Sequence, residues 1–142
     1  MKNIVPSSLL VRVAACATAS ILNFTHALAA NGSWLGAEDA AWTNSANWSA
    51  SPYPGNAVGE SASFDGAGNG NTVIDLAGLS SILNVTFGQS AAAYTLGAGA
   101  VGSQTLTIEN SGRIAMSANA TADQTVSAAV RLGTTTASAT YT

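Results

Sequence analysis

The chain has 142 residues, and its four Lys and Arg against seven Asp and Glu leave a formal charge of −3. Both Lys2 and Arg12, the single His26 and the single Cys16 fall in the first 29 residues. Beyond them stand 113 residues with no Lys, His or Cys, and only Arg113 and Arg131 as bases. That inventory excludes Ser-His-Asp and Cys-His nucleophilic chemistry and the usual zinc and iron ligand sets. It also excludes the basic stripe on which nucleic-acid binding depends.

The first element reads as a leader. A basic stretch from Lys2 to Arg12 precedes an apolar run from Val13 to Phe24, and Ala27-Leu28-Ala29 supplies a small-x-small site. These are the three parts of a secretory signal, with cleavage expected between Ala29 and Ala30. The apolar run is too short to span about 30 Å of hydrocarbon as a helix. Val13-Ala14-Ala15-Cys16 resembles a lipidation site, but Arg12 would then lie in the apolar run before the cysteine, where it is costly. The non-lipidated route is preferred.

Residues 30–70 are expected to form an aromatic N-terminal cap with a Gly-rich loop. Trp34, Trp42, Trp48, Tyr53 and Phe64 cluster here, together with Pro52 and Pro54. Trp34, Trp42, Trp48 and Tyr53 are also candidate glycan contacts, since exposed aromatic rings stack on sugars; packing of the cap is the favoured account of them. In Asp65-Gly66-Ala67-Gly68-Asn69-Gly70-Asn71 the calcium pattern fails. Ala67 and Leu76 occupy EF-hand ligand positions, and Thr72 stands where the nonapeptide repeat needs Asp. A flexible glycine turn is the expectation, with no metal and no cofactor.

From Asn71 to Thr142 the pattern has period two, as half-buried strands do. Ile74 and Leu76 flank Asp75; Leu83, Val85 and Phe87 alternate with Asn84 and Thr86; Tyr94 and Leu96 flank Thr95. Leu106 and Ile108, then Ile114 and Met116, then Val126, Ala128, Val130 and Leu132 continue it, with glycines at 78, 88, 97, 112 and 133 as turns. The alanine-rich stretch from Ala115 to Ala129 lacks a helical apolar stripe and reads as turn and strand. Asp75 and Glu109 are the acids a polysaccharide-active enzyme would need, but outward-facing solvated positions are expected for both. No catalytic residue is assigned.

Trp42-Thr-Asn-Ser-Ala-Asn-Trp48 and Asn84-Val-Thr-Phe-Gly88 resemble the start of bacterial proteins carrying autotransporter-associated β-strand repeats. So do Ala93-Tyr-Thr-Leu-Gly97, Gly102-Ser-Gln-Thr-Leu-Thr-Ile108 and Asp123-Gln-Thr-Val-Ser-Ala128. The resemblance implies a right-handed parallel β-helix passenger, exported to the outer-membrane surface or beyond, and carries over no catalytic residues. The expected fold is therefore all-β, a β-solenoid start with an aromatic cap, or alternatively a β-sandwich. The expected role is structural and adhesive, with cell-surface or glycan contact and with downstream solenoid repeats as neighbours. The rivals are a carbohydrate-binding module and a polysaccharide-active enzyme. Ala137 to Thr142 begin a new strand pattern with no cover after it, so a longer array is expected.

Overall fold

The computed structural model describes residues 30–133. The expected leader with the Ala29 side of its expected cleavage site, and the expected strand pattern from Ala137 to Thr142, lie outside the described residues. Eight strands account for the regular structure: β1 (Gly32–Ser33), β2 (Ser61–Phe64), β3 (Val73–Ile74), β4 (Ile82–Phe87), β5 (Thr95–Leu96), β6 (Thr105–Met116), β7 (Thr125–Val126) and β8 (Ala129–Leu132). Two single 3-10 turns, Ser45–Asn47 and Gly68–Gly70, are the only helical segments among the described residues. No helix there is long and apolar enough to cross a membrane. The alanine-rich stretch is turn and strand, because nothing in it offers a helix an apolar face to bury.

One five-stranded sheet has the order β1-β2-β4-β6-β8 and a three-stranded sheet the order β3-β5-β7. From β2 to β8 the chain alternates between the two sheets, and each return lies parallel to the previous strand of the same sheet. Parallel neighbours cannot be joined by a tight hairpin; here a strand of the other sheet makes the crossover. The antiparallel pairing on which a β-sandwich is built does not occur between the named strands.

The register stacks like on like. Phe64, Phe87 and Met116 are successive partners, as are Ile74, Leu96 and Val126, and Ile82, Ile108 and Leu132. The inward members of these ladders form one core with Trp34, Trp42, Trp48 and Tyr94. Each buried large side chain is worth about 1.5–3 kcal/mol in area removed from water. The period-two reading places Ile74, Leu76, Tyr94, Leu96, Leu106 and Ile108 correctly inward.

It misplaces Leu83. Ile82 points in and Leu83 is only half-buried, because the β4–β6 pairing breaks register between Ile82 and Asn84. Ile82 faces Ile108 while Asn84 faces Arg113, so four residues of β6, Glu109 to Gly112, stand opposite the single Leu83 as a bulge. Ser111 takes φ 66° within it. Gly112 lies so close to the Leu83 carbonyl that a Cβ there would collide with it. At Gly97, with φ 104°, a Cβ would come within 2.6 Å of the Ala128 backbone nitrogen.

Residues 30–70 share sheet and core with the residues that follow. β1 and β2 belong to the same sheet as β4, and Ala41 bridges Asp75 in parallel beside β3. Trp34, Trp42 and Trp48 share the core with Phe87 and Tyr94, so no boundary between cores falls at residue 70. The Gly-rich loop is tied down rather than flexible. Tyr94 Oη–H donates to the Gly66 carbonyl at 2.8 Å, and Asn71 Nδ2–H donates to the Gly36 carbonyl at 2.8 Å.

Candidate functional site

The aromatic cluster lies inside the molecule. Trp34, Trp42 and Trp48 are 3%, 0% and 4% exposed. Trp42 and Trp48 meet at 4.8 Å between ring centroids, and Trp34 meets Trp48 edge-on at 5.0 Å. All three surround Phe64, which continues inward to Phe87 and Tyr94 at 5.3 and 4.9 Å. A buried indole needs a partner for its N–H. Trp34 donates to the Asn71 carbonyl (3.0 Å), Trp42 to Pro54 (2.6 Å) and Trp48 to Trp42 (2.6 Å). None of the three presents a face to a sugar ring, and Tyr53 is half-buried against the same core. The candidate glycan platform is therefore a packing layer over the end of the Phe64–Phe87 ladder.

The spacing Trp42 to Trp48 is held by asparagines. Asn44 caps the 3-10 turn by accepting from Ala46 N–H (3.1 Å). Asn47 is fully buried; its Oδ1 accepts from Glu38 and Asp39 N–H, and its Nδ2–H donates to Asp39 Oδ1 and the Ala41 carbonyl. Asp39 sits on the exposed side of this knot. Its carboxyl is held below the ordinary value of 3.8 by the Ala41 N–H first, then by Asn47 and Asn44.

The acids divide differently from the sequence expectation. Glu109 is 4% exposed rather than solvated. It accepts from Gly59 N–H (2.9 Å) through Oε2 and from the Ser81 hydroxyl (3.0 Å) through Oε1. The bulge turns it under the 55–60 turn, which period-two reasoning does not anticipate. Asp75 is half-buried; its Oδ1 accepts from Ala77 N–H (2.9 Å) and from Gln104 Nε2–H. Gln104 Oε1 in turn accepts from Leu76 and Ala98 N–H, so Asp75 anchors a staple between layers.

Glu60 is a residue that the alternation pattern does not single out. It is 1% exposed and accepts from three backbone N–H groups, those of Ala30, Gly55 and Ala57. The signal for it is local: an acid directly after the turn from Gly55 to Gly59, at the mouth of β2.

Among the described residues the ladders end in exposed side chains at the far end. Ile108 is 1% exposed but Leu132 is 56%; Phe87 is 2% but Met116 is 55%; Val85 is 0% but Ile114 is 38%. Val130 is exposed beside them. The two ends of the described stack thus differ: aromatics close the first, and a row of aliphatic side chains on β6 and β8 forms the second. Searches against protein-family models, curated proteins and solved structures find no match to this chain.

Proposed function

We propose that this chain is the capped N-terminal start of an exported right-handed parallel β-helix, a structural passenger presented at or beyond a bacterial outer membrane. The observation that carries this reading is the asymmetry of the stack, with aromatics sealing one end while the apolar ladders end exposed at β6 and β8. An array built this way grows by adding rungs at the open end and is protected against edge pairing at the closed one. Right-handed crossovers are the strong rule for parallel strands of one sheet. The fit of Trp42, Asn44, Asn47 and Trp48 to a sealed end supports the resemblance to autotransporter-associated repeat proteins. Five strands spaced about 4.8 Å apart make a segment of roughly 20 Å along the stack. Its role is to hold further rungs away from the cell, and adhesion is the contact that such projection serves.

The test is made in the producing cells. Antibodies raised to the exposed turns around Gln89 and Gly99 should label intact cells or find the chain in the medium, and mass spectrometry should place its first residue at Ala30. A chain retained inside with Met1 intact, or one beginning at a lipidated Cys16, overturns the reading.

A further inference from the structure

Glu60 carries the inference. It is 1% exposed, and among the described residues no arginine donates to it. Its Oε2 accepts from Gly55 N–H at 2.7 Å and Ala57 N–H at 3.0 Å, both within its own turn. Its Oε1 accepts at 2.9 Å from the backbone nitrogen of Ala30, thirty residues away. A carboxylate in the interior is costly unless it is hydrogen-bonded and paired with a positive charge. Neutral peptide donors meet the first need and leave the second open.

Ala30 is also the residue that leader cleavage after Ala29 would make the first of the chain. We propose that Glu60 is the receptor for that new α-amino group, so that removal of the leader closes a buried ion pair which locks the first strand onto the sheet. This rests on the export reading above. In the cleavage step a signal peptidase adds water across the Ala29–Ala30 bond. The oxygen goes to the Ala29 carbonyl carbon, and the new carboxyl group on the released leader gives up its proton. The Ala30 nitrogen keeps its hydrogen, gains one from the water and one from that carboxyl group, and becomes an ammonium. The same nitrogen that donated as an amide now donates as a cation to Glu60 Oε1. The consequence passes directly into the sheet, because Asn31 Oδ1 accepts from Ser61 N–H and Gly32 and Ser33 pair with Ala62 and Ser63. The other acid that reaches this turn is Glu109 of β6, whose carboxylate accepts from Gly59 N–H and the Ser81 hydroxyl.

The pairing sets the sign of the pH dependence. An α-amine paired with a carboxylate titrates above its ordinary range of about 7.7–8.0. The stability it contributes is fully present below that range and is lost as pH rises through the raised folded-state value.

The experiment uses the chain recovered after export, its first residue read by mass spectrometry. A first residue other than Ala30 overturns the cleavage reading, and this inference with it. With Ala30 first, the remaining measurements test the ion pair alone. In isotope-labelled protein the Ala30 carbon shifts should titrate at least about one pH unit above the ordinary α-amine range, and Glu60→Gln should return them to it. Acetylating the Ala30 amine, which leaves a neutral donor, should lower the folding equilibrium constant at pH 7 about tenfold, matching an amine that titrates about one pH unit high. If Glu60→Gln does not fold, the titration and acetylation of the unaltered chain decide. An Ala30 amine titrating in the ordinary range, or an acetylated chain that unfolds at the same midpoint, overturns the proposal.

Discussion

Phe64 stacks on Phe87 with 5.3 Å between ring centroids and 28° between planes, at positions paired in register on β2 and β4. Phe64 also touches all three tryptophans and Tyr94, so it is the ring through which the closed end and the ladder meet. Replacing it should be costly. Phe64→Ala is expected to lower stability by about 3–5 kcal/mol, the range for a large aromatic removed from a packed core. Met116→Ala, at the exposed end of the same ladder, should stay within about 0.5 kcal/mol. Urea unfolding of the two variants checks the contrast; equal losses would mean that the core does not grade from one end to the other.

Tryptophan emission gives an independent check on the packing layer. All three indoles are interior, so acrylamide should quench the native chain far less than the urea-unfolded chain. Soluble oligosaccharides should leave the emission unchanged. A saccharide-dependent shift that Trp42→Ala removes would restore the glycan reading.

Two glycines separate backbone conformation from close packing. Gly97 and Gly102 both have positive φ, but a Cβ at Gly102 meets nothing within 4 Å, whereas at Gly97 it meets Ala128. Gly102→Ala should cost only the left-handed backbone term, about 1–2 kcal/mol. Gly97→Ala should cost clearly more, since β5 and the turn before β8 must part. Equal thermal shifts would contradict the close approach.

The Asn47 knot predicts an acid-range effect. Because Asp39 is held below 3.8 in the folded chain, the stability it supplies is present above that value and is lost as pH falls through its lowered folded-state value. Asn47→Ala removes the second of its donors and should move the Asp39 carboxyl back toward 3.8, read by carboxyl-carbon NMR titration. An unmoved titration would assign the depression to Ala41 and Asn44 alone.

The open end predicts association without loss of fold. Val130→Lys and Leu132→Lys place charge on β8, the outermost strand among the described residues; charge is a common natural defence of sheet edges. Both should reduce light scattering in concentrated solution while leaving stability within about 0.5 kcal/mol, because these side chains are already exposed.

Much of the strand pattern was legible in the residues because it follows from alternation alone. Leu106 and Ile108 point inward for the same reason that Thr105 and Thr107 do not. Leu83 was not legible, since a bulge on the neighbouring strand decides which face of β4 it takes. For the tryptophans the sequence favoured packing over a sugar face without deciding it, because an indole suits both until the partner of its N–H is known. The parallel pairing of Ile74 with Leu96, or of Phe87 with Met116, joins residues far apart in the chain and leaves no local trace. Glu60 escaped for a related reason: its partner at Ala30 lies on another strand's approach.

The ladder from Phe64 to Phe87 to Met116 advances by 23 residues and then by 29, although both steps move one strand across the sheet. The surplus is shed at Glu109 to Gly112 and in the exposed turn around Val101, outside the stacked positions. Such a molecule repeats in space without repeating in number. Small insertions and deletions at such corners are expected to cost little, because loop-closure entropy grows slowly with length and the ladders can stay aligned. A repeat unit of constant length is not needed for the stack, so kinship between two such chains would be read from which side chain sits above which rather than from any counted period.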